Sequence, residues 1–293
     1  MSLSAANMSR NFIILFHARE GSTAIVDALS RHKDISVPIL EELDRFWINK
    51  FYKSNPDFNL LNTMDKIFSS NTFDLGDDWG FQNYISSNKR GQPVESIGFK
   101  WRPHGPIKDI AKIFKKNNVQ VFILARRDFL ELVASLAISK TAKKGAAGHG
   151  HAQFDYANMS EQEQASYRKN LETTMHRVSL ASILGIMFRR IAVAIRFRLF
   201  ALRLTFLGVD IKYLFYEDFR DEPEDFLNDI CSYGLLLQKN LDSLTDGQII
   251  KKASQVPARD RIIDYDRTCS FFVVRILRKI YSYLVIEKVN KGS

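Results

Sequence analysis

A run of β-forming apolar residues that breaks straight into a helix start limits the fold of this chain more than any other feature. Asn11-Phe-Ile-Ile-Leu-Phe-His17 is apolar at almost every position and ends in a polar turn, the pattern of a strand buried on both faces of a parallel sheet. Ser22 and Thr23 follow as candidate caps for the apolar-periodic stretch Ala24–Leu29, giving strand, tight turn and helix. The pattern returns. Ile97–Lys100 precedes a helical stretch from Ile107 to Lys116, and Val119–Leu124 runs into a helix beginning near Asp128. Val209–Phe215 leads to a helix with Pro223 at its start. Parallel neighbours need long crossovers, usually helical. The expected fold is therefore α/β, a central parallel sheet flanked by helices, with all 293 residues in one domain.

Between these elements the signals are weaker. Residues 41–75 read as short helices and loops, and the stretch from about Ser160 to Phe206 reads as helical throughout. Residues 141–158 open with the glycine-rich Thr141–Ala152 and are expected to form a mobile loop, residues 1–10 to be disordered, and residues 270–290 to form a C-terminal helix. An apolar fraction of 45% excludes a disordered tail. The formal charge of +9 suits a polyanionic ligand, an anionic membrane surface or nucleic acid without choosing among them. Cys231 and Cys269 supply neither a disulfide framework nor a zinc ligand set, which points to a reducing, cytoplasmic setting. No signal-peptide pattern and no bilayer-length apolar window is present, so the expectation is a soluble or peripheral protein.

The loop His17-Ala18-Arg19-Glu20-Gly21-Ser22-Thr23 sits where a buried strand gives way to a helix. Free backbone N–H groups and the positive end of the helix dipole converge at such a place, which favours an anion. Gly21 allows close approach of backbone to ligand, Ser22 and Thr23 add hydroxyls, and Arg19 adds a forked cation suited to phosphate oxygens. The nucleotide-triphosphatase loop, Gly-x-x-x-x-Gly-Lys-Ser/Thr, is not matched, because Ser22 stands where the lysine belongs. That disfavours an ATPase or kinase. The plain alternative is an N-terminal helix turn with an incidental arginine.

A second basic point follows the strand Val119–Leu124, where Arg126 and Arg127 stand at the carboxyl end and Ser135 lies two turns into the next helix. Ligands of open α/β sheets bind at that end of the strands. Eight helical residues rise about 12 Å, and a turn at Arg127 with its long side chain closes much of that gap, so that Arg127 and Ser135 could share one phosphate. Otherwise the arginines are a solvated pair and Ser135 an ordinary helix residue.

With these motifs in order, the chain resembles the sulfotransferases that use 3′-phosphoadenosine 5′-phosphosulfate (PAPS). In that family an Arg or Lys followed by Ser-Gly-Thr/Ser-Thr binds the 5′-phosphosulfate, and here the segment reads Arg19-Glu20-Gly21-Ser22-Thr23, with Glu20 in place of the usual serine. An Arg followed eight positions later by a Ser grips the 3′-phosphate, matched by Arg127 and Ser135. Tyr216-Glu217-Asp218-Phe219 with Pro223 beyond resembles the family's Tyr-Glu-Asp-Leu segment after a late strand. The likeness runs from about residue 11 to 234 and is greatest to the bacterial and Golgi-like branch with Arg in the first loop. It implies a P-loop-like sheet, PAPS as co-substrate, no required metal, and a carbohydrate, lipid or small-metabolite acceptor, with no nucleic acid partner.

Such chemistry is an in-line transfer in which the protein mainly holds charge in place. The resemblance gives Arg19 and the 21–23 backbone to the 5′-phosphate. Glu41 and Glu42 fall where related enzymes carry a glutamate base, although both also suit a helix N-terminus ahead of Phe46 and Trp47. Where cytosolic relatives carry Lys-x-His on a strand, this chain reads Lys100-Trp101-Arg102-Pro103-His104: the lysine matches, Arg102 holds the histidine position, and His104 is a competing base two residues later. Lys251-Lys252 through Arg259-Asp260-Arg261 lies where relatives return a basic loop to the 3′-phosphate, so Arg259 or Arg261 could assist there.

Other features have ordinary explanations. His149 and His151 are a poor metal site without a neighbouring Cys or carboxylate cluster. The stretch Ile183–Leu207, with Arg189, Arg190, Arg196, Arg198 and Arg203, suits a core helix with snorkelling arginines, a membrane surface or a wall of the nucleotide site. Phe271–Val285 is amphipathic and basic, suited to packing, a dimer contact or a lipid interface. The rival function is a non-catalytic nucleic-acid or anionic-surface binding protein that uses its charge alone.

Overall fold

The apolar runs form strands, and all pair in parallel. In the computed structural model, residues 10–17, 20–38, 43, 59–69, 93–142, 162–163, 165–166, 169, 173–233, 235 and 257–287 are described. Among them are β1 (Asn11–Leu15), β2 (Ile35–Ser36), β3 (Ser96–Trp101), β4 (Val119–Ala125) and β5 (Ile211–Phe215), joined in the order β2-β3-β1-β4-β5. Each adjacent pair is parallel, with Leu15 opposite Trp101 on one side and Ile123 on the other. The helices are α1 (Ser22–Arg31), α2 (Leu60–Ser69), α3 (Ile107–Lys116), α4 (Phe129–Ala142), α5 (Leu180–Phe206), α6 (Tyr216–Asp221), α7 (Pro223–Ser232), α8 (Tyr265–Cys269) and α9 (Phe272–Ser282). The fold is α/β, a parallel sheet flanked by helices. Among the described residues no helix is long and apolar enough to cross a membrane.

The chain forms two compact units, Met1–Ala125 with Phe197–Ile250, and Arg126–Arg196 with Lys251–Ser293. The first contains the sheet. Side chains alternate along a strand, so Ile13, Leu15, Phe99, Trp101, Val121 and Ile123 share one core with Met64, Ile67 and Phe68 of α2, Ile110 and Phe114 of α3, and Ala201 and Leu204 at the end of α5. Burying each such aliphatic or phenyl group stabilises the unit by about 1.5–3 kcal/mol. Phe12, Ile14, Gly98 and Lys100 belong to the opposite set. Gly98 is required there because a Cβ would overlap the Phe12 ring.

Sheet order also fixes where a ligand can sit. From β1 the chain passes beyond β3 to β2, whereas from β4 it passes the other way to β5. β1 and β4 are neighbours, so the order reverses between them, and the crevice at their carboxyl ends is the place where such sheets bind ligands.

The second unit is built on α4. Asp128 accepts a hydrogen bond from the Glu131 N–H at 3.0 Å and so caps the helix that the sequence starts near that residue. Phe129 stacks on Tyr281 of α9 with ring centroids 4.1 Å apart, and the buried Tyr265 hydroxyl donates to the Leu130 carbonyl. The helical reading of Ser160–Phe206 is interrupted: the described residues 162–163, 165–166, 169 and 173 are helical, and residues 174–179 are not. His176 donates its N–H to the Arg261 carbonyl at 2.8 Å and accepts from the Ile263 N–H at 3.0 Å, a strand-like pairing that a helix at this position could not make. The long helix therefore begins at Leu180. It buries Ile183, Met187 and Arg190 while exposing Phe188 and Leu199.

Candidate functional site

In the first unit the turn after β1 enters α1 through Gly21, whose φ of 83° lies in the left-handed region that favours glycine. The sequence suggests Ser22 and Thr23 as caps, but the helix starts at Ser22 itself and its N-terminus has no side-chain cap hydrogen bond. Gly21 cannot supply one, and both hydroxyl residues already lie inside the first turn. The leading N–H groups are thus left to acceptors outside the helix's own caps.

Three contacts brace this turn. Glu20 is buried, and its Oε2 accepts the His17 N–H at 2.7 Å, closing the loop across its base. Lys100, 1% exposed near the end of β3, donates from Nζ to Thr23 Oγ1 at 2.6 Å. The Tyr216 ring, at the start of α6, lies against Gly21 so closely that any Cβ there would overlap it. Two stretches far apart in sequence, the Lys100 strand and the Tyr216-Glu217-Asp218 segment, thereby meet the first loop.

A cationic edge adjoins it. Lys100 Nζ and the Arg102 guanidinium carbon each lie 4.9 Å from the centroid of the Phe16 ring, so one buried aromatic positions two cations beside the loop. His104 Nδ1 is 3.0 Å from the Arg102 carbonyl. A carbonyl only accepts, so this is a hydrogen bond when Nδ1 carries the proton, which leaves Nε2 as the basic nitrogen of the neutral ring. Trp101 donates its indole N–H to the Leu43 carbonyl at 3.1 Å, which fixes residue 43 beside the end of β3. Arg19, Glu41 and Glu42 lie outside the described residues, as do His149, His151, Lys251 and Lys252.

In the second unit Arg126 is buried, Arg127 is exposed, and Ser135 is half-buried on α4. Glu131 carries the feature that sequence reading missed. Its carboxylate accepts the N–H groups of Ala258 at 2.9 Å and Arg259 at 3.3 Å. This ties the Arg259–Arg261 turn to the first turn of α4, the helix that follows Arg127, and Tyr265 adds a second tie to the same turn. The acidic side chain one turn into α4 was the available signal, but nothing local to it names a partner 127 positions away.

No protein-family model matches the chain, and no curated protein matches it. Among solved structures, the crystal structure of a sulfotransferase from Alicyclobacillus acidocaldarius is similar, with 14% sequence identity over 94% of this chain and 95% of that chain and a TM-score of 0.42.

Proposed function

We propose that the chain is a PAPS-dependent sulfotransferase, a single catalytic domain working in the cytoplasm on a hydroxyl of a carbohydrate, lipid or small-metabolite acceptor. The observation that carries this reading is the meeting of Gly21, Thr23, Lys100 and Tyr216 at the carboxyl edge of the sheet. Two of the three motifs that carry the family resemblance, the first loop and the Tyr216 segment, meet there together with Lys100, at the sheet edge where such folds bind ligands. A left-handed glycine, a helix N-terminus without a side-chain cap and a buried lysine are a donor set that fits a phosphosulfate.

In this reading Arg19 and the 21–23 backbone hold the 5′-phosphate, and Lys100 steadies Thr23 and the charge developing on the leaving oxygen. Arg127 and Ser135 hold the 3′-phosphate, with Arg259 or Arg261 brought to the same helix turn by Glu131. The acceptor oxygen bonds to sulfur as the bond from sulfur to the 5′-phosphate oxygen breaks. The acceptor proton passes to a base, worth about 10²–10⁴ in rate. Glu41 or Glu42 is given that role by the resemblance alone, since both lie outside the described residues. His104 is the alternative through Nε2.

Calorimetry with adenosine 3′,5′-bisphosphate tests the donor site. Tight binding that Arg127→Ala and Ser135→Ala both weaken is expected, together with label transfer from radiolabelled PAPS in an acceptor screen. Equal affinity for AMP, or binding of duplex DNA with no preference for the bisphosphate, would overturn the assignment. Glu41→Gln and Glu42→Gln, compared for turnover at intact donor affinity, identify the base.

A further inference from the structure

α9 shows two kinds of outer surface. Its inner side buries Val274, Leu277 and Tyr281, which fix it to its own unit through the Tyr281–Phe129 stack. The rest of its circumference faces solvent. Phe272 is 75% exposed, and Ile276 and Ile280, one and two turns on, are 39% and 41% exposed. Residues four apart lie on one helix face, so these three form a continuous apolar strip. Arg275, Arg278 and Lys279, also exposed, fill the remaining outer arc.

A lone exposed apolar residue is ordinary, but an ordered strip beside a row of cations is not. From Ser270 to Ile286 the sequence holds three cations and no acid, within a chain of net charge +9. A second copy of this face would set its three cations against three cations, with only Asp266, just before the helix, to offset them. An anionic lipid surface satisfies both halves at once: the apolar side chains enter the boundary between headgroups and acyl chains, and the arginines and lysine pair with phosphate and carboxylate headgroups.

We infer that the outer face of α9 docks the protein on anionic membranes. The inference rests on this helix alone and stands whether or not the chain transfers sulfuryl groups. It also gives a physical reason for an acceptor carried at a membrane surface to be within the protein's reach.

Sedimentation of the full chain with phosphatidylcholine vesicles, with and without phosphatidylserine, tests it. Partition onto the serine-containing vesicles and not onto pure phosphatidylcholine is expected, falling steeply with added salt. Each cation removed should weaken binding about five-fold, so Arg275→Gln/Arg278→Gln/Lys279→Gln should lower it about a hundredfold. Phe272→Ser/Ile276→Ser should also release the protein. Both variants change only exposed side chains, and an unchanged thermal melt confirms their fold. Lys108→Gln/Lys112→Gln/Lys115→Gln removes as much charge from the exposed side of α3 and should weaken binding far less. Equal losses from the α3 and α9 triples would reduce the effect to net charge and overturn the inference. So would wild-type binding by the Phe272/Ile276 variant, or a concentration-dependent dimer that this variant abolishes in a chain that ignores vesicles.

Discussion

Gly21 is the residue on which the first loop turns, and its replacement by alanine separates two costs. The first is conformational: at a φ of 83° an alanine sits in the left-handed region, which costs about 1–2 kcal/mol. The second is steric, because the new Cβ overlaps the Tyr216 ring and the ring or the backbone must shift, typically at about 1–3 kcal/mol. Together they predict a loss of about 2–5 kcal/mol. In a Tyr216→Ala background the obstruction is gone and only the conformational cost of about 1–2 kcal/mol remains. The cycle therefore predicts that the two substitutions are less harmful together than their sum by about 1–3 kcal/mol. Trp101 is buried in the core of the first unit, so its fluorescence in urea follows the unit that holds the loop. An identical cost of Gly21→Ala in both backgrounds, within about 0.5 kcal/mol, would show that Tyr216 does not rest on the loop. The meeting of the two motifs would then be lost.

Three further outcomes follow from contacts elsewhere. Lys116 and Asn117 donate to the two oxygens of Asp65 at 2.6 and 2.8 Å, and these bonds hold its carboxyl below the usual carboxylate range. A depressed folded pKa stabilises above the unfolded value and is lost as pH falls through the folded one. Asp65→Asn should thus flatten the acid limb of the stability profile below about pH 4, at a neutral-pH cost under about 1 kcal/mol for so exposed a pair. A limb as steep as the wild type's would refute this. Burial pushes the Cys231 thiol up to about 12, so iodoacetamide near pH 8 should label it more slowly than the half-buried Cys269, as read by mass spectrometry; equal rates would count against its burial. Glu131→Ala deprives the Ala258 and Arg259 N–H groups of their acceptor, at about 1–3 kcal/mol for buried donors. Hydrogen exchange should show faster loss of protection at those amides than at α1.

The sequence revealed the sheet where the local pattern is self-sufficient. β1, β3 and β4 are apolar runs bounded by turns, and each was read to within two residues of its end. β2 was missed because Ile35–Ser36 is two residues long and borrows its strand character from β3. The helical reading misses the break at residues 174–179, because periodicity cannot register that His176 pairs with Ile262, a partner in another part of the chain. At the site, residue identities were legible while their partners were not. A strand-end lysine is ordinarily solvated, whereas Lys100 is buried with its Nζ on the hydroxyl of Thr23, 77 positions earlier, and over the Phe16 ring. Glu20 looked like a departure from the family loop, and the structure gives it a bracing hydrogen bond to the His17 N–H.

These braces bear on how the loop would work. A charge-holding site lowers a barrier only if its donors are already oriented before charge develops, since reorientation during the reaction costs what the interaction gains. The loop is fixed at its base by Glu20, from the sheet by Lys100 and across its top by Tyr216, each through a different kind of contact. Loosening one brace while leaving Lys100 and the loop's backbone N–H groups in place separates orientation from affinity. Thr23→Val removes only the hydroxyl that Lys100 binds. If orientation is what the braces supply, this variant should lower turnover more than it lowers affinity for the bisphosphate. A proportional loss of both would make Thr23 a simple binding group.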